Sequence, residues 1–130
     1  MEQAKIIEFP KILDPRGNLT FFQNNDQLPF SVNRLFWTYD VPGGIVRGGH
    51  AYKLQQELIV ALSGSFDVVT INEHGEKIKF TLNRSYYGVY LPKMTWRHLE
   101  NFSTNSVSLH LCSGAYDEND YIYELNEFIK

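Results

Sequence analysis

Gly44-Ile45-Val46-Arg47-Gly48-Gly49-His50-Ala51-Tyr52-Lys53-Leu54-Gln55-Gln56-Glu57-Leu58-Ile59-Val60-Ala61-Leu62-Ser63-Gly64 holds two short runs of strand-forming residues around a polar turn and ends on a glycine. Beyond Gly64 the run Phe66-Asp67-Val68-Val69-Thr70-Ile71 begins, so this glycine marks a tight reversal between two strands. Glu73-His74-Gly75-Glu76 closes the next hairpin into Lys77-Ile78-Lys79-Phe80-Thr81-Leu82. Within the first run His50 and Tyr52 stand two residues apart and share one face of a strand. Arg47 has the opposite parity and reaches that face only if Gly48-Gly49 forms a bulge.

Working outward, runs rich in Val, Ile, Phe, Tyr and Thr recur along most of the chain. They are broken by turn chemistry at Asp14-Pro15-Arg16-Gly17, Pro42-Gly43-Gly44, Pro92-Lys93 and Ser103-Thr104-Asn105. The spacing predicts strands at 4-9, 18-23, 33-40, 46-53, 57-62, 65-72, 77-82, 87-91, 95-102 and 106-112. Strands this short and this numerous imply an all-β sandwich or barrel. The tail differs: Asp117-Glu118-Asn119-Asp120 supplies an N-cap and an acidic first turn, and Tyr121, Ile122, Leu125, Phe128 and Ile129 then recur at helical spacing. One short C-terminal helix is expected to close a single domain spanning 1-130.

The 130 residues are 43% hydrophobic and 15% aromatic, enough for a core that needs no disulfide or structural metal. Cys112 is alone, no CxxC pair offers a zinc site, and nothing at the N-terminus resembles a signal peptide, so a reducing cytoplasm is the expected compartment. No window approaches the roughly 20 apolar residues of a spanning helix, which argues against a membrane role. Twelve Lys and Arg against fifteen Asp and Glu give a net charge of -3 without a basic run. That balance argues against nucleic acid as a partner and requires any anionic ligand to be held by individually placed cations.

The segment from Gly44 to Gly64 resembles the first cupin motif, Gly, five residues, His-x-His, three or four residues, Glu, six residues, Gly, with Tyr52 where the second histidine would stand. Pro92-Lys93-Met94-Thr95-Trp96-Arg97 and Asn101 resemble the second, Pro-x-Gly-x-x-His-x-x-x-Asn, with Met94 for Gly and Arg97 for His. A metal cupin holds its ion with three histidines and a carboxylate, and only His50 and Glu57 remain at those positions. Arg97 would set a permanent positive charge beside a cation. No metal and no cofactor is therefore expected. Alternation sends His98 to the face opposite Arg97, so it restores the set with His50 and Glu57 only if the pattern alignment shifts by one residue. A histidine, a phenol, a carboxylate and a guanidinium in one pocket suit proton transfer beside a carbonyl.

More specific strings run through nearly the whole chain: Asp14-Pro15-Arg16-Gly17-Asn18-Leu19, Arg47-Gly48-Gly49-His50-Ala51-Tyr52-Lys53, Leu62-Ser63-Gly64-Ser65, Trp96-Arg97 with Asn101-Phe102-Ser103, and Tyr116-Asp117-Glu118-Asn119-Asp120-Tyr121-Ile122. On these the chain resembles the dTDP-4-keto-6-deoxyglucose 3,4-ketoisomerases, small cupins of sugar-nucleotide biosynthesis. The resemblance implies a metal-free cupin-type jelly roll, a homodimer, and a dTDP-linked 4-keto-6-deoxyhexose as substrate. It also implies the reaction, in which the ketone moves from carbon 4 to carbon 3 through an enediol and the product feeds synthesis of a 3-amino sugar. The chain departs from that family's His-Ala-His, reading His50-Ala51-Tyr52, so a two-histidine shuttle does not carry over.

His50 is accordingly the candidate base and Tyr52 a candidate proton donor or relay. Arg97 and Arg16 are candidates for holding substrate, and Arg47 a candidate for phosphate. Glu57 orients His50 or pairs with a cation. Among the aromatics Phe36, Trp37, Tyr39, Tyr87 and Tyr90, one or two rings at the barrel mouth could stack a thymine, and Tyr90 is taken as the representative. His74 and His110 read as structural. The rival functions are an epimerase on a similar ketosugar, a non-catalytic sugar-nucleotide-binding cupin, and a metal-dependent cupin.

Overall fold

The computed structural model describes residues 2–129. One antiparallel sheet lays its strands in the order β1 (Lys5–Glu8), β9 (Tyr87–Leu91), β6 (Glu57–Ser63), β11 (Val107–Cys112) and β4 (Arg34–Thr38). The other runs β12 (Tyr121–Ile122), β5 (Arg47–Tyr52), β10 (Trp96–Glu100), β7 (Phe66–Ile71) and β8 (Lys77–Leu82). A separate two-stranded ribbon pairs β2 (Lys11–Ile12) with β3 (Leu19–Thr20). The two facing sheets make the expected all-β jelly roll, left open at one end.

Alternation decides what lies between the sheets. Ile59, Ala61, Phe66, Val68, Leu82, Val89, Leu91 and Leu99 meet there in a buried cluster. The outer face of the first sheet is covered by Phe9, Leu28 and Phe30, which pack on Leu58, Val60, Tyr90 and Leu111. With both faces covered, β6 reads as the unbroken run Leu58-Ile59-Val60-Ala61 rather than as an alternation. Strand β1 forms one edge of its sheet and pairs along its other side with β9, Ile6 opposite Val89.

The tail corrects the expectation of one helix running on from Asp117. Asp117 does cap a turn, accepting from Asn119 N, but that turn is a 3-10 helix of three residues, Glu118–Asp120. Tyr121 and Ile122 then extend as β12, pairing with Tyr52 and Ala51. The expected short C-terminal α-helix is present but confined to Leu125–Phe128, and Phe128 packs against Trp96 on the outer face of the second sheet. The apolar spacing that mimics a helix arises because Tyr121 faces inward while Ile122, Leu125 and Phe128 cover that outer face.

At the β6–β7 reversal Gly64 has φ +68, and a Cβ there would lie 2.8 Å from Ser106 Cα and 2.5 Å from Ser103 Oγ. Backbone sign and space both require glycine. Gly64→Ala should lower unfolding free energy by roughly 1–3 kcal/mol, read from urea denaturation. An unchanged midpoint would mean that the turn relaxes without penalty.

Candidate active site

The space between the sheets is divided along each strand. Toward one end Ile59, Ala61 and Leu99 face inward; toward the other the same strands turn in Glu57 and Arg97. Neighbouring strands add His50 from β5 and His110 from β11, and these line a cleft of about 160 Å3 with Phe36, Thr38, Arg47 and Tyr121.

Its floor is an ion pair sealed from solvent. Arg97 Nη1 donates to Glu57 Oε1 at 2.6 Å, and both side chains are 1% exposed. The remaining guanidinium nitrogens, Nε and Nη2, donate to the Thr95 carbonyl at 3.3 and 3.1 Å, and the group lies 4.7 Å from the Tyr52 ring centre. The second carboxylate oxygen, Oε2, accepts from His110 Nδ1 at 3.2 Å. Burial opposes ionisation of Glu57, but the guanidinium and the His110 hydrogen bond hold its pKa down to about 2. Glu57 thus orients His110, with His50 left to its own partners.

That arrangement does not suit a metal ion. The carboxylate that would ligate is saturated by Arg97 and His110, and a guanidinium occupies the place of a third ligand. Among the described residues no three His, Cys, Asp or Glu side chains converge in a metal-holding geometry.

His50 is held differently. One ring nitrogen is hydrogen-bonded to the Gly48 backbone, while Nε2 is buried without a partner. Burial first, then the charge on Arg97, push its pKa down to about 3, with Glu57 only partly offsetting them, so the ring is neutral. A buried, unpartnered nitrogen is an exception in folded proteins and marks a group kept available for something else.

The structure separates the other candidates. Tyr52 shares the His50 face, with ring centres 4.8 Å apart, but lies fully buried behind it. Its hydroxyl accepts from Arg34 Nη2 at 3.1 Å and donates to Tyr121 Oη at 3.2 Å. Burial and the nearby Glu57 charge push its pKa far up, which excludes a role as base. The phenol that reaches the cleft is Tyr121, which sequence reasoning placed in a helix. Arg47 does reach the cleft: Arg97 pairs with His50 while Leu99 pairs with Arg47, so an extra residue bulges at Gly48, where φ is +75.

Tyr90 does not face the cleft. It sits in the outer cluster, its hydroxyl donating to Gln56 Oε1 at 2.6 Å. Arg16 lies on the β2–β3 ribbon, 89% exposed and paired with Asp14 at 2.8 Å. Arg34, which nothing in the sequence flagged, ties Tyr52, Tyr121 and the Cys112 sulfur together. Cys112 is buried, and burial with the Glu57 charge raises its pKa to about 12. The larger cleft of about 480 Å3 lies elsewhere, beside Glu2, Glu73, Glu76 and Lys93, and holds none of the residues gathered around His50.

Facing sheets that keep their polar groups at one end of a shared interior make this a cupin-type jelly roll. The family model described as WxcM-like, C-terminal (FdtA) matches residues 2–130. A TDP-4-oxo-6-deoxy-alpha-D-glucose-3,4-oxoisomerase from Aneurinibacillus thermoaerophilus is 36% identical over 129 residues, 98% of this chain and 91% of that protein. A 3,4-ketoisomerase from Helicobacter canadensis superposes with a TM-score of 0.93 at 32% identity, covering 99% of this chain and 96% of that one. QdtA, a sugar 3,4-ketoisomerase from Thermoanaerobacterium thermosaccharolyticum solved in complex with TDP, gives 0.93 at 30% identity, covering 97% and 91%. The chain belongs to the WxcM-like, C-terminal (FdtA) family, whose relatives include sugar 3,4-ketoisomerases.

The pKa of His50 carries a sign. Unfolded, it takes up a proton near pH 6.5; folded, it does so only near 3. Between those values the unfolded chain binds the extra proton, so this contribution to stability is complete above about pH 6.5 and is lost as pH falls toward 3. Glu57 adds a second loss as pH falls from 4.5 toward 2. Thermal melts of the His50→Asn protein should therefore fall less between pH 7 and pH 5 than those of the native chain. Parallel curves would contradict the buried neutral ring.

Proposed function

We propose that the chain is a sugar-nucleotide 3,4-ketoisomerase, moving the ketone of a dTDP-linked 4-keto-6-deoxyhexose from carbon 4 to carbon 3. The observation that carries the reading is the neutral His50, its Nε2 unpartnered in a cleft that also holds Arg97 and Tyr121. His50 takes the proton from sugar carbon 3, beside the ketone. The positive field of Arg97 favours the enediolate that forms, and the His50 imidazolium returns a proton at carbon 4. A placed base of this kind supplies about a hundred- to ten-thousandfold in rate. Negative charge arriving with the substrate offsets Arg97 and raises the basicity of the ring. The product carries a carbonyl at carbon 3, the group an amine-transferring enzyme requires, and a cytoplasmic place follows from the nucleotide-linked substrate.

The cleft is smaller than the roughly 300–1,000 Å3 typical of small-molecule sites, so it accommodates the sugar ring and leaves the nucleotide outside. The diphosphate is assigned to Arg47, which is exposed and lines the cleft. We infer a homodimer from the outer face of edge strand β4, where Leu35, Trp37 and Tyr39 are exposed in a row, and from the ribbon, which exposes Ile12, Leu13 and Leu19. An isolated ribbon is marginal in water. In a dimer it would be supported, and Arg16 at its tip would be available to the nucleotide held by a second subunit.

Incubation with dTDP-4-keto-6-deoxyglucose in D2O, followed by proton NMR, should give a 3-keto sugar deuterated at carbon 4. His50→Asn should abolish turnover while the protein stays folded. Near-normal turnover in that variant would remove His50 from the mechanism, and ligand binding without deuterium incorporation would favour a non-catalytic binding cupin. Light scattering on a size-exclusion column should give twice the chain mass, with Trp37→Glu shifting it toward one; a native monomer would sink the dimer.

A further inference from the structure

Moving a ketone between adjacent carbons relocates two protons. One leaves carbon 3 and one arrives at carbon 4, which a single base can manage. The other leaves the carbon-3 hydroxyl as it becomes a carbonyl, and a matching proton is gained by the carbon-4 oxygen. His50 accounts for the first transfer, and the buried phenol of Tyr52 cannot accept the second.

A line of side chains that the mechanism above does not use starts at the cleft wall, passes through buried Ser108 and returns to the ion pair at the cleft floor. Thr38, half-buried on β4, lines the cleft, and its hydroxyl is hydrogen-bonded to that of Ser108. Ser108 Oγ lies 2.8 Å from His110 Nε2, and His110 Nδ1 lies 3.2 Å from Glu57 Oε2. All three relay groups belong to the paired strands β4 and β11, with Thr38 opposite Ser108 and Phe36 opposite His110. Phe36 stacks flat on the imidazole at 4.4 Å and 6°, which fixes the plane of the ring.

The direction of each bond follows from its end. Glu57, ionised against Arg97, can only accept, so His110 Nδ1 carries the hydrogen. Its Nε2 then has a lone pair and accepts from the Ser108 hydroxyl. The Ser108 oxygen in turn accepts from Thr38, whose own oxygen lone pairs are left for a donor in the cleft.

We infer that Thr38, Ser108 and His110 form a proton relay that takes up the carbon-3 hydroxyl proton of the substrate and returns it to the carbon-4 oxygen, while His50 handles the carbon-bound proton. This rests on the isomerase reading above. In the forward direction the substrate O–H bond breaks toward Thr38, Thr38 passes its proton to Ser108, and Ser108 passes its own to His110 Nε2. The imidazolium keeps its hydrogen bond to Glu57, and its charge is balanced by the negative charge left on the substrate oxygen. Return along the same line protonates the carbon-4 oxygen, leaving every relay group as it began and the sugar isomerised, with no oxidant or reductant required.

The two transfers are separable by experiment. Thr38→Val, Ser108→Ala and His110→Gln proteins are incubated with dTDP-4-keto-6-deoxyglucose in D2O, and loss of the carbon-3 proton signal is followed separately from formation of the 3-keto sugar. With the relay cut, His50 still forms the enediolate, which collapses back to the carbon-4 ketone. Carbon-3 exchange should stay within about threefold of the native rate while isomerisation falls at least about a hundredfold. Thr38→Ser should restore isomerisation, and adding His50→Asn to Thr38→Val should abolish exchange. Equal losses of exchange and isomerisation in folded variants, or no loss of either, would overturn the relay. Thr38→Val keeps shape on a half-buried edge strand and serves if His110→Gln fails to fold. A native protein that neither exchanges nor isomerises overturns the isomerase reading, and the relay with it.

Discussion

Glu57 and Arg97 face each other across the sandwich, one from each sheet, and neither could remain where it is without the other. An unpaired charge at that depth would be destabilising by about 3–5 kcal/mol once its partner was removed. The pair survives because its own remaining polar atoms are also engaged: the other guanidinium nitrogens donate to the Thr95 carbonyl, and the second carboxylate oxygen accepts from His110. From this one contact follow the positive charge that adds to burial in keeping His50 neutral, the ionised acceptor that fixes the tautomer of His110, and the unsuitability of the site for a metal ion. A pocket that in a metal cupin would be organised by an ion is organised here by an internal cation.

The rest of the site depends on how two sheets of ordinary strands leave one end polar. Inward positions on β6 and β10 change from carboxylate and guanidinium to aliphatic within two residues, so the same strands supply both core and chemistry. The Gly48 bulge adds what alternation forbids, bringing Arg47 to the cleft from the wrong parity. Further round the wall, the two residues of β12 bring Tyr121 in beside His50, their ring centres 4.9 Å apart.

Much of this was legible beforehand, for identifiable reasons. The hairpins around Gly64 and Gly75 announce themselves through turn chemistry, and the His50 to Gly64 spacing carries the fold. Met94 shows how a motif encodes conformation: it stands where the second cupin pattern has glycine, and its φ is +55, the region glycine would adopt without strain. What was not legible depends on long-range contact. Tyr121 read as helical because an inward and an outward residue of a short strand, followed by one helical turn, mimic a helical stripe. Arg34 and His110 sit in strands with no local motif; only the pairing of β11 with β6 brings His110 to Glu57, and the pairing of β4 with β11 sets Arg34 opposite Cys112. Tyr90 looked eligible because an aromatic residue in a strand gives no sign of which face it takes, and the cover from Phe9, Leu28 and Phe30 decides it. The Asp14–Arg16 turn was recognisable in sequence, but where it lies was not.

The lone thiol has a further use. Cys112 sits opposite Glu57 in the β6–β11 ladder, buried, with its proton held on by burial and by that neighbouring charge. A thiol reagent therefore meets neither an accessible sulfur nor a thiolate in the intact fold, and alkylation must wait for the seam between those strands to part. With no second cysteine in the chain to compete, the rate of labelling is a clock for the opening of the sheet that carries the active site, so the native chain can report its own breathing without an introduced probe.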